Sequence, residues 1–348
     1  MGEQRFNKPT ITLNFLRTPA RTPNASERSL RHPENPGPKN PLREERKQSM
    51  KQATIYISIL TLLFFIFGFS GPSGLSGDTL TIGSIHTEPA SEMRKLLPLA
   101  TYLIRELRAE GFTERRVVVA QDLTEMTALI RARKVDLIID NYVMALALNR
   151  LAGSQLLLRR WKKGAAEYHG LIFTRNDSNI GKLEDLSGKT VSFEYLFSAV
   201  GYLLPRMLLA QKGLKPVPAN RPLGANGVGY VFANDDENTM QWVLSGQVAA
   251  GAMDNQRYPR EARARISELK ILEQTPSIPR HVVSVQADIK PNVLSKIKEI
   301  LMGMDRSEEG KKVLQDFEHT AKFDELTEHN VALGQRLKKF IEAELKLQ

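Results

Sequence analysis

Two Asp-Asn pairs, Asp140-Asn141 and Asp254-Asn255, each stand directly after an apolar run that reads as a strand. Polar residues just beyond the carboxyl end of a strand are where open parallel sheets hold ligands. A carboxylate beside a carboxamide offers acceptors to an amine and donors to an oxyanion. The same dipeptide is also ordinary turn chemistry. Further acids gather near the second pair: Glu194 follows the strand-like Val191 to Phe193, and Asp235 and Asp236 precede a helical pattern. Ser198 stands where a helix begins, so its hydroxyl can cap that helix. His86 follows the first strand and is the one histidine placed to face a cleft.

These groups do not add up to a catalytic set. The chain has no Walker A, HExxH, GxSxG or strand-linked GxGxxG motif, and the glycine-rich Gly224 to Gly229 precedes a strand and reads as a loop. The six histidines show no helical metal spacing, and the absence of cysteine excludes thiolate metal sites, cysteine nucleophiles and disulfides. The expectation is a binding protein, not an enzyme, with no cofactor and no metal.

The elements that must position these residues alternate. Thr79 to Ile85 is a strand; Glu92 to Ala109 puts Met93, Leu96, Leu97, Ala100, Leu103, Ile104 and Leu107 on one apolar helical face. Val117 to Ala120 is a short strand, Asp122 caps a helix running to about Arg133, and Val135 to Ile139 is the next strand. In the second half, strands are expected at Gly170 to Arg175, Val191 to Phe193, Tyr230 to Ala233 and Val248 to Met253. Helices are expected from Ala199 to about Lys212, closed by Gly213, and after an acidic first turn at Asp235-Asp236-Glu237. This β-α-β rhythm, given twice, predicts an α/β protein of two lobes closing on a ligand between them.

The 348 residues exceed one ordinary domain, and 41% hydrophobic residues suffice for a large core. The net charge of +10 suggests nucleic acid until it is divided: residues 1–52 hold 11 Lys/Arg against 5 Asp/Glu, so +6 sits in a proline-rich basic tail and the rest is near neutral. No nucleic-acid partner is expected. Ala53 to Phe69 is an uncharged apolar run of 17, at the lower limit for spanning a bilayer, with Lys47 and Lys51 before it. It is expected to be either a cleaved signal peptide, starting at Met50, or an uncleaved signal-anchor, with 70–77 as a Gly/Ser linker. Either way the body is exported to the periplasm.

The order of Pro98 to Leu103, Val135-Asp136-Leu137, Ile180 to Thr190, Gly201 to Arg206 and Gly246 to Ala252 resembles the periplasmic substrate-binding proteins of phosphonate, phosphite and phosphate ABC transporters. The resemblance implies a two-lobed type II periplasmic-binding fold. Each lobe would be a mostly parallel sheet flanked by helices, with lobe one at 78–174 plus 279–348 and lobe two at 175–278. It implies delivery of a small polar ligand to a permease and its ATPase. A sensor coupled to a membrane signalling partner is the alternative on the same fold. The expected binding residues, from strand-end position and from the resemblance together, are Ser198, Gly201, Tyr195, Glu194, His86, Asp140, Asn141, Tyr142, Asp235, Asp236, Asp254 and Asn255; the resemblance itself implies Ser198, the stretch Asp140-Asn141-Tyr142 and Asp236. The pattern departs at Ala199 and Val200, where hydroxyls are usual, at Ile139 in place of an aromatic, and at Asp236 in place of a histidine. A doubly charged phosphonate beside several carboxylates would be repelled by about 1 to 4 kcal/mol per close pair. An amine-bearing or zwitterionic ligand therefore fits the expected acidic cleft better than simple phosphate.

Overall fold

The computed structural model describes residues 77–345. The basic tail, the apolar run Ala53 to Phe69 and the linker up to Ser76 lie outside the described residues. Among the described residues no helix is long and apolar enough to cross a membrane.

Two six-stranded sheets carry the fold. In the first, the parallel trio Leu137–Asp140, Asp78–Ile85 and Phe112–Ala120 is continued by antiparallel His281–Val285, Gln155–Arg160 and the short Phe323–Asp324. In the second, Ala250–Asp254, Thr190–Phe193, Gly227–Phe232 and Lys215–Pro218 run parallel, and Gly170–Arg175 and Leu269–Gln274 are added antiparallel. The β-α-β rhythm generates the parallel ladders, since a crossover helix returns the chain in the same direction. Apart from Phe323–Asp324, the antiparallel strands are those entering or leaving the two segments that pass between the sheets. Within those segments Glu167–Tyr168 and Ile278–Pro279 pair as a two-stranded ribbon.

The helix after the first strand, Pro89–Glu106, buries Leu96, Leu99, Ala100 and Leu103, a line at spacings of three and four. Met93 and Leu97, expected on that face, are 38% and 37% exposed, and Leu99 takes the inward place. The inward stripe thus runs one flank over, and on its first turn it carries the buried Glu92 toward the space between the sheets.

Asp122 caps Leu123–Arg131 by accepting the Glu125 N–H, as expected. Ser198 caps its helix too, but the first turn is a π turn, Ala199–Leu203, before the regular Leu204–Gln211. Pro205 explains it. A proline has no N–H for the carbonyl four residues back and its ring crowds that carbonyl, so the turn widens. The Gly201 carbonyl so released accepts the Glu194 N–H at 3.2 Å. Gly213 closes the helix in the left-handed region, where a side chain would be strained.

Candidate ligand-binding site

A cavity of about 250 Å³ lies between the two sheets, walled by strand ends and helix starts from both. Of the positions singled out in the sequence, His86, Asp140, Asn141, Glu194, Tyr195, Ser198, Asp236 and Asp254 line it. Gly201, Tyr142, Asp235 and Asn255 do not.

Each of those four has other work. Gly201 backs the wall: a Cβ there would meet Glu194 and the Ser198 hydroxyl at under 3 Å, so only glycine lets the helix start press against them. The Tyr142 hydroxyl donates to the Asn330 carbonyl at 2.5 Å, tying its helix to the C-terminal one. Asp235 is an exposed cap for Asp236–Leu244. Asn255 accepts the His169 N–H at 3.1 Å.

On the first-sheet wall, Asp140 is buried, and among the described residues no cation touches it. It accepts from the Ile85 N–H at 2.9 Å and from the Asn141 N–H at 2.7 Å. Burial pushes its carboxyl up to about 7 against those two bonds. Asn141 caps Tyr142–Ala152 and donates across the cleft to the Phe197 carbonyl at 3.2 Å, so one side chain starts a helix and touches the opposite wall. Glu92 accepts from Ser84 and Lys95.

On the second-sheet wall, the Ser198 hydroxyl donates to Glu194 at 2.6 Å while accepting the Gly201 N–H at 3.0 Å. Burial, then the charge of Asp254, raises the Glu194 carboxyl. Asp236 is buried and raised as well, by burial first and then by Glu194. One of its oxygens faces Arg257 at 3.4 Å; the other has no partner among the described residues. Asp254 accepts the Gln256 and Arg257 N–H groups, both at 2.8 Å, and lies 3.6 Å from Arg280.

The all-acidic cleft expected from the sequence is corrected by cations from elsewhere in the chain. Lys95, Lys162, Lys163, Arg257 and Arg280 also line the cavity. Lys162 and Lys163 follow strand Gln155–Arg160 and Arg280 follows the ribbon strand Ile278–Pro279, all in or beside the crossing segments. Arg280 is buried; it donates to Gln256 at 2.7 Å and stacks on Tyr168, but its Nε has no partner among the described residues. Burial, then Lys162, lowers the His281 imidazole well below its usual range, so it is neutral; its Nδ1 is buried and likewise without a partner. Burial, then the charges of Arg257 and Arg280, lowers Lys163. Against burial, Lys162 and Arg160 hold Glu318 down to about 2. The cavity therefore presents donors and acceptors side by side. Among the described residues no cluster of His, Cys, Asp or Glu could hold a metal ion.

Two α/β lobes joined by paired crossing segments around a polar cleft define a type II periplasmic binding protein. The model of the family described as ABC transporter, phosphonate, periplasmic substrate-binding protein matches residues 82–331, and the chain belongs to that family. Among solved structures, XAC2383 from Xanthomonas citri bound to chloride is 25% identical with a TM-score of 0.71, covering 78% of this chain and 99% of that one. The same protein bound to ATP gives 25% and 0.69, covering 76% and 97%. PhnD1 from Prochlorococcus marinus in complex with methylphosphonate, 17% identical with a TM-score of 0.56, covers 77% of this chain and 98% of that one, and shares the fold.

Proposed function

We propose that this chain is the ligand-capturing component of an ABC importer, closing its lobes on a small zwitterion that joins an oxyanion of the phosphonate class to an amine, and handing it unaltered to a permease. The observation that supports the reading is the set of buried polar atoms at the cleft without partners among the described residues: Asp236 Oδ1, an acceptor, and Arg280 Nε, a donor. Burying such atoms unmade costs about 1 to 3 kcal/mol each, a cost a ligand bearing both a donor and an acceptor removes. Lys163 adds a cation for the oxyanion, and Asp140 and Glu194 add carboxyls for the amine. The anionic half is supported by the chloride and ATP complexes of XAC2383. At about 250 Å³ the cavity falls just below the range of roughly 300 to 1,000 Å³ usual for drug-sized ligands, which favours a small guest.

The test is titration calorimetry with 2-aminoethylphosphonate, methylphosphonate and ethanolamine. The aminophosphonate should bind most tightly, and Asp236→Asn should weaken it about tenfold or more, the scale of one lost charge-assisted bond. Equal binding of ethanolamine and aminophosphonate would remove the oxyanion from the reading; equal binding of the two phosphonates would remove the amine.

A further inference from the structure

An anion already sits at the first-sheet wall of the cleft. Glu318 reaches it from the turn after helix Glu308–Asp316, and its carboxylate meets Lys162 at 3.0 Å, Arg160 at 3.2 Å and Lys95 at 3.5 Å, the first two from just beyond strand Gln155–Arg160 and from its end, the third from helix Pro89–Glu106. Glu318 and the following His319 both adopt left-handed backbone, with φ of 51° and 52°. This conformation is uncommon outside glycine, and here it aims the carboxylate inward. Arg160 is fixed by other bonds, to Thr320 at 2.9 Å and to the Phe317 carbonyl at 2.8 Å, with its guanidinium on the Phe317 ring. Arg160 thus needs Glu318 least. Lys162 and Lys95 line the cavity, and beside Lys163, Arg257 and Arg280 they are cations an incoming ligand would otherwise find.

We propose that Glu318 is a specificity-determining residue, a built-in carboxylate that takes up the charge of Lys162 and, with Glu92, that of Lys95, so that the cleft favours a singly charged oxyanion over a doubly charged one. The physical reason is additive: in a site of reduced dielectric each further unit of ligand charge is felt by the nearby fixed carboxylate, and a second negative charge gains too little from cations already matched. The proposal rests on the oxyanion reading of the cleft and names the charge state that reading left open.

Calorimetry on the intact chain and on Glu318→Gln, at a pH above the second ionisation of methylphosphonate, tests it by comparing that dianion with methanesulfonate, a singly charged oxyanion of the same shape. Methylphosphonate should bind the variant about tenfold more tightly, and methanesulfonate should gain less than about threefold. A merely structural role predicts the opposite sign, since loosened lysines would bind both ligands less well. Unchanged or weaker methylphosphonate binding overturns the proposal. If Glu318→Gln melts too low to titrate, the double change Lys162→Met with Glu318→Met removes both charges together. Methylphosphonate affinity should then stay within about threefold of the parent, and a loss beyond about tenfold overturns the proposal by showing that Lys162 was free for the ligand. Binding of neither oxyanion to parent or variant takes down the oxyanion reading itself, a different result from a parent that binds and a variant that does not shift.

Discussion

Asp140-Asn141 and Asp254-Asn255 end interior strands of the two sheets, and in the sequence nothing separates them. In the fold, Asp140 is bound by two backbone N–H groups and no cation, whereas Asp254 sits over a turn and faces Arg280. Asn141 caps a helix and crosses the cleft; Asn255 looks away, toward His169. The difference comes from the next stretch of chain in each lobe. A helix begins at Tyr142, directly after the first pair, so the carboxamide is consumed as a cap and the chain stays pressed to the seam. After the second pair the chain turns, and the next helix begins at Tyr258. Identical residues at matching strand ends therefore differ in solvation and in the charges beside them.

The largest effect expected from this contrast is on stability. Asp140→Asn puts an amide donor where two N–H groups need an acceptor and should cost about 2 kcal/mol in urea unfolding, against less than about 1 kcal/mol for Asp254→Asn, whose site is more exposed. Equal losses would erase the distinction. Next, Asn141→Ala should cost about 1 kcal/mol through the lost cap and also weaken ligand binding severalfold by removing the bond to Phe197. Asn255→Ala should leave calorimetric affinity within about twofold of the parent.

A subtler signature lies in pH. Because the folded Asp140 carboxyl is raised to about 7, the folded state holds a proton the unfolded chain gives up near 4, so its contribution is fully present below about pH 4 and lost as pH rises through 7. Melting temperature should fall across that window. The fall should be shallower in Asp140→Asn yet not absent, since Glu194 and Asp236 are raised in the same direction. A slope identical to the parent would show that Asp140 is ionised throughout. Ser198→Ala should cost about 0.5 to 2 kcal/mol from the lost cap, a loss comparable with that of Asn141→Ala. Melting experiments would read it, together with a shift in ligand affinity if Glu194 swings free.

Much of the frame was legible because it depends on local patterns. Strands of β-branched residues, the caps Asp122 and Ser198, and Gly213 all announce themselves within a few neighbours. The cleft was legible by half. Its carboxylates stand at strand ends, where topology says to look, but Lys162, Lys163 and Arg280 sit in crossing segments without periodicity. Glu318 comes from a turn near the other end of the chain. Strand pairing and chain return bring them in, and no local signal marks that. The π turn at Ala199–Leu203 had a visible cause in Pro205, yet the serine cap suggested an ordinary helix.

The ribbon formed by Glu167–Tyr168 and Ile278–Pro279 has a mechanical consequence. Two tethers hydrogen-bonded to each other flex as one ribbon, so the halves of the molecule are left with little more than a single bending axis instead of the free swivel two separate threads would allow. Tyr168 belongs both to this ribbon and to the cavity wall. A guest that presses on its ring is therefore pushing on the axle itself.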